Sequence, residues 1–289
     1  MTTAVRRQVG VVHLLITLFS MNYQETRSNA SQDGQCLRTY QWIPQAKHPC
    51  NIPKLSVEQL KSQFGPSGLP SLYHSPIIIQ RGTTGKNEKF FNMTSQNGIL
   101  SSLKPRVEVT LSSSNSFSAH RRTIPLSQYL EEILETGETP PDQLSNETWY
   151  LFGETYSEEW KHLLSHYELP PCETCVDRLV ALSFGIGNRG SGVQWHVHGP
   201  GFAEALWGKK HWVLYPADEK PDFHPDQTSR NWMEYAYATV KKRPHECTLN
   251  PGEIIYFPNM WWHATINLDP YTSFVSSFTT EYSGQSGFG

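Results

Sequence analysis

Hydrophobic positions follow two regimes along the chain. Before about residue 170, several stretches space them as helices do. Ser56-Val57-Glu58-Gln59 has the form of a capping box, and Leu55, Leu60 and Phe64 place a short helix behind it. Residues 65–70, from Gly65 to Pro70, stop that helix. Leu126, Leu130, Ile133 and Leu134 fall on one helical face, which ends at Gly137. Trp160, Leu163, Leu164 and Tyr167 form another, opening near Ser157 and stopped by Pro170-Pro171. Between these helices, Pro76-Ile77-Ile78-Ile79-Gln80 reads as a buried strand, and Val107-Glu108-Val109-Thr110-Leu111 alternates as a half-buried one does.

From about Leu179 the pattern changes to short strands. The pattern places them at 179–184, 192–198, 203–207, 211–215, 246–249, 253–257, 261–267 and 271–278. Turns rich in Gly and Pro separate them, such as Gly199-Pro200-Gly201 and Asn250-Pro251-Gly252. Short strands at this spacing without long helices between them predict a mainly β fold, an all-β barrel or jelly roll, with a few flanking N-terminal helices. The polar segment 218–245 reads as an insertion over one rim. Its Trp232, Tyr235 and Tyr237 suggest an aromatic surface for a partner.

The extreme N-terminus belongs to neither regime. Arg6 and Arg7 precede an apolar run from Val9 to Phe19, broken only by His13 and Thr17. The run is too short to span a bilayer and has the layout of a secretory signal peptide, placed at 1–22, followed by a lead-in at 23–54. Asn29-Ala30-Ser31, Asn92-Met93-Thr94 and Asn146-Glu147-Thr148 fit the N-glycosylation triplet, so Asn29, Asn92 and Asn146 are candidate acceptors. No second apolar run is long enough for a transmembrane helix. The net charge is −3, with no Lys/Arg-rich block, which gives no support to a nucleic-acid partner.

There are five cysteines. In an oxidising compartment Cys36 with Cys50 would close a short loop, and Cys172-Glu173-Thr174-Cys175 would form a local disulfide. Cys247 is then left over. A structural zinc site needs four ligands, which a lone C-x-x-C does not supply.

The chemistry concentrates in histidines. His196 and His198 are two apart, so a strand would present both on one face. His263 opens another strand-like run. In a closed barrel, strands distant in sequence line one interior, so the three imidazoles can meet around a metal. The alternative is a set of core or rim histidines hydrogen-bonded to backbone. His120, His162, His224 and His245 lie in polar contexts and read as surface residues. If Lys210 shares a face with Trp212 and Leu214, its ammonium points inward and needs an anion, either the carboxylate of a small ligand or a buried acid such as Glu204 or Glu253. The alternative is a snorkelling surface lysine.

These residues resemble the JmjC (jumonji-C) family. The resemblance is carried by Gly192-Val193-Gln194-Trp195-His196-Val197-His198, Gly208-Lys209-Lys210-His211-Trp212-Val213-Leu214-Tyr215-Pro216, Gly252-Glu253-Ile254-Ile255-Tyr256-Phe257-Pro258 and Trp261-Trp262-His263. It implies a double-stranded β-helix, a cupin-like jelly roll, over 55–289, with an Fe(II) and 2-oxoglutarate site. Active relatives hydroxylate protein side chains or demethylate lysines, holding iron by His-x-Asp/Glu and a distal His. The resemblance assigns His196 and His263 to the metal, Lys210 to the far carboxylate of 2-oxoglutarate, and Asn267 to the pocket wall. His198 stands where the carboxylate ligand belongs, and Val193 and Ala203 stand where relatives carry polar pocket residues. The leader and the resemblance together predict a protein of the endoplasmic reticulum lumen. Two functions compete: protein binding or regulation of secretory-pathway proteins with weak or no oxygenase activity, and an active 2-oxoglutarate-dependent protein hydroxylase. A cupin-like module holding zinc or copper without 2-oxoglutarate is a third.

Overall fold

The computed structural model describes residues 47–279 apart from 105, 154, 178 and 179. The leader, Asn29 and Cys36 lie outside the described residues. In chain order the elements are β1 (Lys54–Ser56), α1 (Val57–Phe64), β2 (Ile77–Gln80), α2 (Glu88–Thr94), α3 (Gly98–Leu103), β3 (Glu108–Ser113), β4 (Arg121–Pro125), α4 (Leu126–Thr136), β5 (Trp149–Phe152), α5 (Glu158–Leu164) and α6 (Glu173–Asp177). Then follow β6 (Val180–Gly187), β7 (Gly201–Trp207), β8 (Lys210–Tyr215), α7 (Ser229–Asn231), β9 (His245–Leu249), β10 (Glu253–Phe257), β11 (Trp262–Asn267) and β12 (Thr272–Thr279). α1, α4, α5, β2, β3 and most of the β-rich remainder lie where the pattern places them, while α2, α3, α6, β4 and β5 are not marked by it. The Ser56 capping box forms, with the Gln59 backbone N–H donating to Ser56 Oγ and the Ser56 N–H to Gln59 Oε1.

Two sheets form the jelly roll. The large one runs β1-β2-β10-β7-β12-β6-β5-β3-β4 and the small one β11-β8-β9, antiparallel except for the β1–β2 pair. Between them lies a core to which both contribute: Ile78, Ala203, Ala205, Ile255 and Phe257 from the large sheet, Trp212, Leu214 and Leu249 from the small one. The outer face of the large sheet is covered by the helices, with Phe90, Leu103, Leu126 and Trp160 packed on Leu111, Leu151, Phe184 and Leu206. The outer face of the small sheet is covered by the 218–243 segment through Trp232, Met233 and Tyr237. Burial on both faces explains why β7, β8 and β10 read as near-continuous apolar runs rather than alternating ones.

Three expectations are corrected here. Cys50 is bonded to Cys247, 197 residues away, and not to Cys36. Residues 50–52 run beside β9, where Asn51 N–H donates to the Glu246 carbonyl and Glu246 N–H to Asn51 Oδ1, which brings Cys50 against Cys247. Trp232 and Tyr237 do not form an exposed rim: Trp232 packs edge-on against Trp195, and the Tyr237 hydroxyl donates to buried Glu246. Tyr235 alone of the three is exposed. Finally, 192–198 is not a regular strand but an extended segment joined to β11 by one bridge, His196 with His263. The regular ladder lapses at Val193, which accepts from Thr265 N–H but whose own N–H donates to the Thr265 side chain instead of to a backbone carbonyl.

Candidate metal centre

The segment carrying His196 and His198 lies tightly along β11. A Cβ at Gly192 would fall 1.9 Å from the Thr265 carbonyl oxygen, so only glycine allows this approach. Reciprocal backbone bonds between His196 and His263 fix the register. Trp195 turns the other way, against Tyr215 and Trp232. With that large side chain anchored outside, His196 and His198 are held toward the space between the sheets.

There they meet His263. One ligand nitrogen from each of the three rings lies within 4.8 Å of the others. The rings are oriented by their opposite nitrogens. Nδ1 of His196 lies 2.8 Å from the Gln194 carbonyl, Nδ1 of His198 2.8 Å from that of Gly199, and Nδ1 of His263 2.8 Å from that of Trp261. A carbonyl accepts only, so each Nδ1 carries its proton and donates it. In the neutral ring each Nε2 then presents a lone pair.

Nε2 of His198 and Nε2 of His263 stand 3.1 Å apart. Two lone pairs at that separation repel unless a proton or a cation lies between them. Burial disfavours the proton. Desolvation first, then the neighbouring imidazoles, pulls His263 well below the ordinary histidine value; desolvation, then His198, pulls His196 down to about 3; desolvation lowers His198. The nitrogens therefore stay free of protons at neutral pH, as a metal requires. Nitrogens sharing one ion at ~2.1 Å are about 3.0–3.4 Å apart, which the His198–His263 pair already satisfies. The donor set fits a divalent transition metal. Backbone carbonyls holding the far nitrogens are the usual outer support of such ligands.

Aromatic rings wall the triad. Trp212 and Phe257 stack on His263, while Phe257 and Phe278 meet His198 edge-on at 5.3 Å. Sequence reasoning did not single out this wall. Its signal was the alternation of β12, which sets Phe274, Ser276 and Phe278 on one face.

Lys210 points inward, fully buried, and its Nζ donates to Asn267 Oδ1 at 2.9 Å. Asn267 in turn donates through Nδ2 to Ser191 Oγ. The other side of the ammonium is covered by the Phe274 ring, 4.0 Å away. Phe274 lies flat over β6 because Gly185 leaves room; a Cβ there would fall 2.2 Å from Phe274 Cζ. Neither suggested acid reaches the lysine. Glu204 is paired with Arg81 and Tyr167 beneath the helices, and Glu253 with Lys54 and Gln80. Desolvation without a compensating anion pulls Lys210 down to about 7. Val193 and Ala203 are buried in the same interior and donate no side-chain hydrogen bond.

The remaining histidines separate from the triad. His120, His162 and His224 are exposed and His245 is half-buried. His211, also in the β8 run, is buried on the outer face of the small sheet, with Nε2 3.3 Å from Glu246 and Nδ1 3.0 Å from Thr248 Oγ1.

Comparison with known proteins matches residues 74–281 to a family model described as a cupin-like domain. The chain is 42% identical over 205 residues to JmjC domain-containing protein 8 of Homo sapiens, covering 70% of this chain and 75% of the relative. It is 41% identical over 205 residues to the protein of that name from Mus musculus, covering 70% and 74%. Lysine-specific demethylase JMJ21 of Arabidopsis thaliana is 30% identical over 164 residues, which is 50% of this chain but 16% of that protein.

Proposed function

The chain belongs to the cupin-like JmjC family, and from that premise we propose that it is a metal-binding protein of the endoplasmic reticulum lumen that acts by protein binding and regulation, with little or no 2-oxoglutarate turnover. The family generally depends on Fe(II) and 2-oxoglutarate. The observation that carries this reading is the convergence of three neutral imidazole nitrogens, each ring fixed by its own backbone carbonyl.

His196, His198 and His263 would hold the ion. Bound there, it would supply Lewis acidity between the two sheets. Replacing a carboxylate by His198 removes one negative charge from its surroundings, which changes both the preferred metal and its reactivity. The chain's own residues do the rest. Trp212, Phe257 and Phe278 hold the rings of His198 and His263 in place, and Asn267 with Phe274 closes the ammonium of Lys210 against a carboxylate. A ligand carboxylate at Lys210 must displace the Phe274 ring, and it finds no hydroxyl from Val193 or Ala203 to bind. A lost hydrogen bond to a charged group costs about 1.5–3 kcal/mol, so binding of the cosubstrate is weak.

Support for the compartment comes from the leader-like run, the exposed Asn92 and Asn146, and two disulfides among the described cysteines, which persist in oxidising surroundings. Chromatin substrates of demethylases are not carried over to a luminal chain. An active hydroxylase is the second reading, favoured by Lys210, a buried cation that no carboxylate of the described residues meets. Purified full-length chain, loaded with Fe(II) and supplied with 2-oxoglutarate and oxygen, should release succinate no faster than a His263→Ala variant. Sustained succinate release that depends on His263 would establish the hydroxylase instead.

A further inference from the structure

Cys172 and Cys175 are bonded to each other on the outer side of the large sheet, away from the metal centre. A cross-link between residues three apart staples nothing distant. Disulfide stabilisation grows with the length of the loop closed, and this turn is already held by Cys175 N–H donating to the Cys172 carbonyl and by Glu173 N–H donating to that of Leu69. Fold stapling accounts for Cys50–Cys247 but not for this bond.

Both cysteines are buried, but the surface beside them is apolar and open. Leu72 and Val176, 69% and 68% exposed, are the most exposed large apolar side chains among the described residues. They flank the bond from two segments tied together by Ser71 N–H donating to the Glu173 carboxylate. The two sulfurs are also unequal. Cys172 is 1% exposed and its Sγ lies 3.3 Å from the Thr174 hydroxyl; Cys175 is 8% exposed.

We propose that Cys172–Cys175 is a thiol-exchange site that oxidises a dithiol polypeptide docked on Leu72 and Val176, with Cys175 attacked and Cys172 the leaving sulfur. A partner thiolate attacks Cys175 Sγ and forms a mixed disulfide. The Cys172–Cys175 bond breaks, and Cys172 leaves with the electron pair, stabilised by the Thr174 hydroxyl before it takes a proton from solvent. The partner's second thiol gives up its proton and attacks the partner sulfur of the mixed disulfide. Cys175 then leaves as a thiolate and is protonated. The partner loses two electrons and two protons to become a disulfide, and the chain gains both as a dithiol. Departure of the better-stabilised thiolate sets this direction.

The test is reduction of the full-length chain, produced in a secretory host, by glutathione or by reduced thioredoxin, with alkylation and peptide mass analysis of each cysteine. Cys50–Cys247 serves as the internal reference. The expected result is opening of Cys172–Cys175 while Cys50–Cys247 stays closed. A Cys172→Ser variant should accumulate mixed disulfide on Cys175 at least about tenfold over that on Cys172 in Cys175→Ser, because Cys175 is the less buried of the two. Thr174→Ala, which keeps both cysteines, should open several-fold more slowly. Leu72→Ser with Val176→Ser should slow thioredoxin and leave glutathione unchanged. Equal resistance of both disulfides, or unchanged rates in Thr174→Ala, would overturn the exchange site. Equal slowing of both reductants in the Leu72/Val176 variant would overturn the polypeptide partner.

Discussion

His198 and His263 face each other through Nε2 atoms 3.1 Å apart, each ring donating its Nδ1 proton to a backbone carbonyl. In the neutral ring neither can supply a proton to the gap without giving up its carbonyl bond, and burial disfavours the charged ring. A divalent metal should therefore stabilise the fold. At a free metal concentration about 100-fold above Kd the gain is roughly 2.7 kcal/mol, which for a domain of this size raises Tm by several degrees. Thermal unfolding with and without zinc or Fe(II) checks it. His263→Ala should abolish the increment, and an increment that survives His263→Ala would place the ion elsewhere.

Lys210 carries a pH dependence of definite sign. Its folded value is pulled down to about 7, below the ordinary 10.5. Between those values the unfolded chain binds a proton that the folded chain does not, so stability rises with pH from about 7 to about 10.5 and is lowest below 7. Lys210→Met should remove that slope and stabilise the fold near pH 6 by on the order of a few kcal/mol. Urea unfolding across this range is the measurement; a variant that keeps the wild-type slope would assign the dependence to another group.

Phe274 is the residue that closes the lysine. Phe274→Ala should lose about 3–5 kcal/mol of stability through the cavity it leaves. It should also bind 2-oxoglutarate measurably more tightly than wild type, because the Lys210 ammonium is uncovered. Calorimetric titration of metal-loaded protein reads the affinity, and equal weak binding by both forms would show that Phe274 is not the obstacle.

Much of the fold was legible because burial and backbone chemistry leave local marks. The Ser56 box, the Leu126 stripe ending at Gly137 and, apart from 192–198, the short strands after 180 appear where the pattern puts them. What was illegible depends on distance. Cys50 meets Cys247 only because residues 50–52 run beside β9, which no spacing reveals. The 218–243 segment looks polar, yet Trp232 and Tyr237 are buried in it because the small sheet needs cover. Within the site, the histidines announced themselves by spacing. Phe274 did not, because a phenylalanine in a strand is ordinary core until its neighbour proves to be Lys210.

The Cys50–Cys247 bond closes the longest loop in the described chain. Cys247→Ser should cost roughly 2–5 kcal/mol and lower Tm accordingly, whereas Cys172→Ser should change Tm little. Differential scanning calorimetry of both variants distinguishes them; a larger loss for Cys172→Ser would reverse the roles assigned to the two bonds.

The central claim is that His196, His198 and His263 hold a single metal ion. Anaerobic titration of Fe(II) into the full-length chain, followed by calorimetry and repeated with His196→Ala and His263→Ala, tests it most directly. One ion per chain in the wild type, with affinity lost in either variant, is the predicted result. Absence of saturable binding, or binding that both variants retain, would contradict it.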